Sequence, residues 1–136
     1  MPQKITTSSK ALVAQAKSEI TEYSASEAME LSQRPDVLLV DIRDPRELRR
    51  EGAVPGAFHC PRGMLEFWID PESPYYKPVF GEDKTFVFFC AGGMRSALAT
   101  KAAQDMGLKP VAHILGGFGA WKAAGGPTQC ATQAGA

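Results

Sequence analysis

The chain has 136 residues, of which 44% are hydrophobic and 22% charged, a composition typical of one folded globular domain. Fifteen basic and fifteen acidic residues cancel to a net charge of zero, which argues against a general nucleic-acid binder. The sequence contains neither an apolar run of the roughly 20 residues that a membrane helix needs nor the apolar core of a signal peptide. We therefore expect a cytoplasmic protein that uses neither a membrane nor nucleic acid as a partner.

The first part of the chain predicts two helices and then a buried strand. Residues 1–19 form an N-terminal extension, in which residues 9–20 have the apolar spacing of an amphipathic helix. A short edge strand is predicted over residues 20–23. Ser24 and Glu27 then have the S-x-x-E spacing of a capping box, so a helix follows. Residues 37–40 (VLLV) are apolar without alternation, as in a strand buried on both faces of a parallel sheet.

The middle of the chain continues the alternation with a capped helix. Asp44, Pro45 and Glu47 have the residue types that open a helix, and Gly52 ends it. We predict a strand over residues 53–59 that Pro55-Gly56 interrupts and a short helix over residues 62–69. Residues 70–83 contain three prolines and a glycine, which indicates a surface loop.

The last part of the chain contains the strongest strand signal. Residues 85–89 (TFVFF) are β-branched or aromatic throughout, and residues 111–115 predict a second buried strand. Helices are predicted over residues 94–106 and 118–124, and residues 128–136 as a flexible tail. This alternation predicts an α/β domain with a largely parallel sheet.

The cysteines and histidines indicate neither a disulfide framework nor a metal site. Cys60, Cys90 and Cys130 are odd in number and widely spaced, and no CxxC pair suggests zinc or dithiol chemistry. His59 and His113 lie far apart in sequence and are interpreted as strand residues with satisfied side chains. We expect no metal and no cofactor, and we interpret each cysteine by itself.

Cys90 differs from the other two cysteines because it follows the strongest strand and precedes a glycine-rich turn into a helix. Backbone N–H groups and the positive end of the helix dipole converge at such a turn, where they stabilise a thiolate. Arg95 adds a planar cation for an anionic substrate. The alternative to a functional Cys90 is a buried structural cysteine. The chemistry favours a thiolate nucleophile, with the loop as its substrate-binding segment: Ala91, Gly92, Gly93, Met94, Arg95 and Ser96.

Four segments together resemble the rhodanese-like family of single-domain sulfurtransferases. They are residues 39–47 (LVDIRDPRE), 52–58 (GAVPGAF), 90–97 (CAGGMRSA) and 116–121 (GGFGAW), in the order and at the spacing usual for that family. The resemblance covers residues 20–127. It implies a three-layer fold in which a central five-stranded parallel sheet is flanked by helices.

The same resemblance implies a sulfurtransferase that carries a persulfide on Cys90. A small-molecule donor such as thiosulfate would load it, and cyanide, a thiol or a protein sulfur acceptor would unload it. One alternative is a module that carries or binds sulfane sulfur without turnover. A Cdc25-type phosphatase or an arsenate reductase of this fold is a further alternative, but those phosphatases have a C-x5-R loop, whereas Cys90 to Arg95 is C-x4-R.

Several residues outside the loop remain open between a functional and a structural role. Asp41 and Arg43 either brace the loop from behind or serve helix capping and surface pairing with Glu47 or Glu51. Phe67 and Trp68 lie where the family's pocket wall usually runs, but they also suit an amphipathic core segment. The family's thiosulfate enzymes often have a basic residue directly after the cysteine, whereas this chain has Ala91, so the preferred donor stays open. Cys60 is interpreted as structural and Cys130 as a bystander.

Overall fold

A computed structural model describes residues 2–130 as a three-layer α/β domain built on one five-stranded sheet. All strand pairs are parallel, in the order β1-β5-β4-β2-β3. The strands are β1 (Thr21–Tyr23), β2 (Val37–Asp41), β3 (Phe58–His59), β4 (Thr85–Phe89) and β5 (Val111–Ile114). The predicted five-stranded parallel sheet is therefore confirmed, and β4, which precedes Cys90, lies at its centre.

Six α-helices connect and cover the strands. They are α1 (Ser9–Glu19), α2 (Ala25–Leu31), α3 (Pro45–Glu51), α4 (Leu65–Ile69), α5 (Met94–Asp105) and α6 (Gly117–Ala123). Short 3-10 turns occupy Arg62–Met64 and Pro78–Gly81. Helices α4 and α5 pack together, α1 packs on α5, and α2 packs against α6. No helix among residues 2–130 has the length and apolarity to cross a bilayer.

The central strand is buried on both faces, as its continuous apolar sequence predicts. Phe86 and Phe88 point into one core, which α4 and α5 cover, while Val87 and Phe89 point into the other, which α2 and α6 cover. Successive side chains of a strand face opposite sides of the sheet, so a strand between two helical layers needs apolar residues at every position. These four side chains are 1% exposed or less, which fixes the position of Cys90 directly after them.

The predicted helix starts are confirmed by their hydrogen bonds. Ser24 and Glu27 form a complete capping box at α2, and Asp44 and Glu47 form one at α3 with Pro45 in the first turn. Each box satisfies two backbone N–H groups that the first turn of a helix leaves without partners. Glu47 also serves the candidate site, as described below.

Two segments differ from the sequence expectation. Of the strand predicted over residues 53–59 only β3 forms, because residues 55–56 make a turn, while Ala53 instead pairs with Gln129 in an antiparallel bridge. The N–H···O bonds between Ala53 and Gln129 are 2.9 and 2.8 Å long. Residues 128–130 of the predicted tail thus follow the domain surface, and residues 131–136 lie outside the described part. In α1, Ala16 is buried but Leu12 is half exposed.

Candidate active site

The sulfur of Cys90 accepts two backbone hydrogen bonds at the start of α5. The N–H of Gly93 lies 3.1 Å from the sulfur and the N–H of Ser96 lies 3.3 Å away. Cys90 itself is 1% exposed. Both N–H groups direct positive partial charge at the sulfur, and so does the amino end of α5. The strand, turn and helix predicted from sequence are present, and they place two backbone N–H groups on the sulfur of Cys90.

The loop offers further N–H groups besides the two that reach the sulfur. Gly93 adopts φ +103° and is the N-cap of α5. In the first turn of a helix the N–H groups have no acceptor within the helix. Among residues 2–130 no acceptor is found for the N–H groups of Gly92, Met94 and Arg95. These three groups lie in the loop and the first turn of α5, where Gly92 and Met94 are exposed and open to a ligand.

Helix α6 holds the other side of the loop by donating hydrogen bonds to the carbonyl oxygens of the loop. The N–H of Phe118 donates to the carbonyl of Cys90 at 2.7 Å, and the N–H of Gly119 donates to the carbonyl of Ala91 at 3.1 Å. Gly117 has φ +59°, and a Cβ at this position would overlap both carbonyl oxygens. Gly117 therefore permits α6 to approach the loop backbone closely.

Arg95 is held by Glu47 of α3. Its two terminal nitrogens donate to the two carboxylate oxygens at 2.7 and 2.9 Å, a bidentate pair. These hydrogen bonds lower the pKa of Glu47 to about 2. Arg95 is 48 positions from Glu47. The sequence analysis considered Arg95 only as a binding residue for an anionic substrate, so its pairing with Glu47 was missed. A surface carboxylate within the helix-opening motif of α3 was the only available signal.

Asp41 and Arg43 form a buried ion pair behind the loop. The guanidinium of Arg43 donates to the Asp41 carboxylate, with a shortest distance of 2.7 Å, and to the carbonyl of Gly52 at 2.8 Å. Its central carbon lies 4.1 Å from the ring centre of Phe118, the residue that bonds the Cys90 carbonyl. Arg43 therefore pairs inside the protein and not with Glu47 or Glu51 at the surface, and it supports α6 where α6 contacts the loop.

A second polar contact reaches the sulfur of Cys90 from the interior. The hydroxyl of Ser96 lies 3.6 Å from the sulfur and 2.8 Å from Nδ1 of His113, and Nε2 of His113 lies 2.9 Å from a carboxylate oxygen of Glu22. Ser96 was predicted to bind substrate, and the structure places it fully buried. His113 was interpreted as a satisfied strand residue, and Glu22 was not considered. The available signal was a histidine within an otherwise apolar strand.

Comparison with known proteins connects this geometry to a family. The family model of the rhodanese-like domain matches residues 24–124. The chain belongs to the rhodanese-like domain family. The match covers the loop, both helices that hold it and all strands except β1, which precedes it.

Relatives of the rhodanese-like domain include named sulfurtransferases. The chain is 32% identical over 104 residues to a sulfurtransferase of Allochromatium vinosum, covering 76% of this chain and 89% of that protein. The structure of the polysulfide-sulfur transferase homodimer of Wolinella succinogenes is 33% identical with a TM-score of 0.67, covering 88% of this chain and 85% of that one. The chain spans only 50% of an uncharacterized protein of Synechocystis sp., to which it is 34% identical over 73% of its own length.

A more similar solved structure carries a different description. It comes from Rhodopseudomonas palustris, is 63% identical and has a TM-score of 0.92, covering 95% of this chain and 99% of that chain. It is described as a protein of unknown function and a possible tyrosine phosphatase. The comparisons thus establish the family, while the names of its similar proteins point to two different reactions.

A pocket of about 350 Å³ opens beside the loop of the rhodanese-like domain. Eight residues line it, including basic and acidic side chains and parts of the loop and of α6. They are Arg43, Glu47, Arg50, Glu51, Ala91, Phe118, Gly119 and Lys122. Phe67 and Trp68 do not line this pocket. Phe67 is 53% exposed, and Trp68 packs edge-on against Phe58 with ring centres 6.0 Å apart. Their predicted role as a pocket wall stays a prediction.

The other two cysteines differ from Cys90 in their surroundings. Burial raises the pKa of the Cys60 thiol to about 12, so Cys60 stays a protonated thiol at neutral pH. Cys130 is exposed, beyond the bridge that Gln129 makes with Ala53. Among residues 2–130 we find no group of three or more histidine, cysteine or acidic side chains suited to hold a metal ion.

The contact between α6 and the loop predicts a specific stability difference. Gly117→Ala adds a Cβ that overlaps the carbonyls of Cys90 and Ala91, at a positive φ. Gly107→Ala is the matched control, because Gly107 has φ +100° but open space around its Cβ position. We expect Gly107→Ala to lower the free energy of unfolding by about 1–2 kcal/mol and Gly117→Ala to lower it by more. Urea unfolding measures both, and equal losses would contradict the close contact.

Proposed function

We propose that the protein is a sulfurtransferase that moves a sulfane sulfur from a donor such as thiosulfate to a thiophilic acceptor through a persulfide on Cys90. The observation that carries the proposal is the sulfur of Cys90 bonded by the N–H groups of Gly93 and Ser96. The free N–H groups of Gly92, Met94 and Arg95 add support, because they can bond the outer sulfur of a persulfide. The named relatives agree with this chemistry.

The proposed reaction has two displacement steps. The Cys90 thiolate attacks the outer sulfur of thiosulfate and forms an S–S bond. The bond between that sulfur and the sulfonate sulfur breaks, and its electron pair leaves on sulfite. An acceptor such as cyanide or a thiolate then attacks the outer sulfur of the persulfide. The S–S bond breaks, and Cys90 leaves as the thiolate that the loop stabilises.

Cys90→Ser is expected to abolish sulfur loading and turnover, because a serine hydroxyl is not ionised at neutral pH. The measurement is the intact mass after thiosulfate treatment, with the added sulfur located by peptide mapping, together with thiocyanate formation from cyanide. Loading without turnover in the natural protein would indicate a sulfur carrier instead of an enzyme.

Two control variants make the assignment to Cys90 specific. Cys130→Ser removes the exposed thiol, and Cys60→Ala removes the buried one. Both are expected to keep loading and turnover, provided that thermal unfolding shows Cys60→Ala to be folded. Sulfur retained by Cys90→Ser, or lost in Cys130→Ser, would refute the proposed nucleophile.

Arg95→Ala is expected to weaken thiosulfate loading by about 1.5–3 kcal/mol, the scale of hydrogen bonds to charged groups. The donor carries two negative charges, and Arg95 adjoins the loop with a side chain that is 43% exposed. A persulfide formed beforehand should still react with an uncharged thiophile. Stopped-flow loading kinetics measure the first step, and transfer from the isolated persulfide measures the second.

Glu47→Gln is the matched variant for Arg95, because glutamine retains the capping box but removes the opposing charge. If Arg95 binds the donor, this variant loads at least as fast as the natural protein. Equal losses in both variants would mean that the Arg95–Glu47 pair braces the loop and does not bind the donor.

A phosphatase is the second candidate, favoured by the description of the Rhodopseudomonas palustris structure. Phosphoryl transfer needs room for three equatorial oxygens with the attacking and leaving groups in line. In this C-x4-R loop the N–H groups of Gly93 and Ser96 already converge on the sulfur at 3.1 and 3.3 Å. A six-residue loop of this kind suits one sulfur atom better than a phosphate.

We therefore expect no measurable hydrolysis of an aryl phosphate by the natural protein. Insertion of one glycine between Gly93 and Met94 lengthens the loop to C-x5-R, and this variant should lose sulfur transfer. The same chromogenic phosphate assay tests both proteins. Hydrolysis by the natural protein that disappears in Cys90→Ser would replace the sulfurtransferase proposal with the phosphatase.

A further inference from the structure

A buried row of polar side chains leads from the sulfur of Cys90 to the edge strand β1. It runs from the hydroxyl of Ser96 to both ring nitrogens of His113 and ends at Glu22, with separations of 3.6, 2.8 and 2.9 Å in that order. Ser96 and His113 are fully buried, and the side chain of Glu22 is 25% exposed. The row therefore connects the buried sulfur to a carboxylate that solvent reaches.

The hydrogen bonds of this row have a defined direction. A carboxylate only accepts, so Nε2 of His113 carries the proton that it donates to Glu22. In the neutral ring Nδ1 is then an acceptor, and the Ser96 hydroxyl donates to it. The Ser96 oxygen is left to accept from the thiol of Cys90. Each S–H, O–H or N–H group of the row thus donates to the next residue away from the sulfur. Removal of the Cys90 proton requires this direction.

We propose that Ser96, His113 and Glu22 form a proton relay that takes the thiol proton of Cys90 and so generates the nucleophile. The inference rests on the proposed role of Cys90 in sulfur transfer. The S–H bond breaks and its electron pair stays on sulfur, while the proton passes to the Ser96 oxygen. The original Ser96 proton passes to Nδ1 of His113. The imidazolium keeps its Nε2–H bond to the Glu22 carboxylate, which balances its charge.

In the ionised state the same row reverses its direction and holds the thiolate. Nδ1 of His113 then donates to the Ser96 oxygen, and the Ser96 hydroxyl donates to the sulfur. This bond adds to the N–H bonds from Gly93 and Ser96. The three side chains are positioning residues, since they act on the substrate only through Cys90.

The charged groups around the row agree with this assignment. On the solvent side Lys17 of α1 lies 3.8 Å from the Glu22 carboxylate. On the loop side the charge of Arg95 is balanced by Glu47. The hydroxyl of Thr100 bonds the Ser96 carbonyl and not the histidine ring. Burial lowers the pKa of His113 more than the hydrogen bond that its ring donates to Glu22 raises it. His113 is therefore neutral at pH 7, the form that accepts a proton.

Two variants remove the relay and leave the backbone donors in place. Ser96→Ala deletes the hydroxyl but retains the N–H that bonds the sulfur. His113→Asn retains a polar atom near the Nδ1 position but cannot take up the proton. His59→Gln is the control, because the His59 ring bonds the carbonyl of Arg43 at 2.7 Å and takes no part in the row.

The first measurement is the pH profile of Cys90 alkylation by iodoacetamide, followed by peptide mass in the full chain. We expect the alkylation rate at pH 7 to fall about tenfold in both relay variants, which equals a displacement of about one pH unit in the profile. The profile of His59→Gln should overlay that of the natural protein. Overlay of all four profiles, with thermal unfolding showing folded variants, would overturn the relay.

The second measurement needs no substitution in the core. The imidazole nitrogen resonances of the natural protein are followed by NMR across the pH range in which Cys90 becomes reactive. Two groups that exchange a proton titrate together. We expect the His113 resonances to respond at the same midpoint as alkylation. Independent responses of His113 and Cys90 would refute the coupling even if the relay variants do not fold.

The relay and the sulfurtransferase proposal fail in different ways. Alkylation and NMR report on the proton of Cys90 without any sulfur donor, whereas mass after thiosulfate treatment reports on loading. Coupled titration without persulfide formation would support the relay and refute the sulfurtransferase. Persulfide formation with unchanged alkylation profiles would refute the relay and leave the sulfurtransferase standing.

Discussion

Two hydrogen bonds from α6 determine which way the peptide groups of the candidate active loop face. The N–H groups of Phe118 and Gly119 hold the carbonyls of Cys90 and Ala91. A peptide group is planar, so a carbonyl fixed toward α6 directs the N–H of the same unit to the opposite side. The two bonds therefore turn the N–H groups of Ala91 and Gly92 away from α6, and the next N–H along the loop, that of Gly93, reaches the sulfur. Arg43 reinforces the arrangement by stacking on Phe118.

Much of the fold follows from local sequence because the signals there are local. Strand β4 (Thr85–Phe89) matches its predicted bounds, since β-branched and aromatic residues fill every position of a strand buried on both faces. Helix α3 starts as predicted because Asp44 and Glu47 cap it by themselves. In the segment 53–59 the predicted interruption at residues 55–56 is present, but only Phe58–His59 forms a strand of the sheet, because strand pairing depends on a partner. Ala53 finds that partner in Gln129, 76 positions away, which no local pattern indicates.

In the candidate site, too, the features made by contiguous residues were predictable and the contacts between distant residues were not. Cys90, the glycine turn and α5 are contiguous, so a turn that directs backbone N–H groups at the sulfur was predictable from its residues. The partner of Arg95 lies 48 positions away, and Glu22 lies 91 positions from His113. Such contacts depend on strand order, and β1 lies beside β5 only because the sheet order is β1-β5-β4-β2-β3. A histidine among apolar strand residues indicates a buried partner but does not identify it.

The charge balance of the loop has a consequence for the kind of ligand it suits. Arg95 is the only full cation in the sequence from Cys90 to Ser96, and the carboxylate of Glu47 neutralises it. What remains at the sulfur are backbone N–H groups, whose partial charges act over a hydrogen-bond length and not over the range of an ion. A charged donor such as thiosulfate would gain from the Arg95 guanidinium only as far as Glu47 leaves it free, whereas a single sulfur on Cys90 would meet the N–H groups where they converge. The N–H groups therefore suit a small group held on Cys90, and the balance between Arg95 and Glu47 governs how strongly a charged donor is attracted.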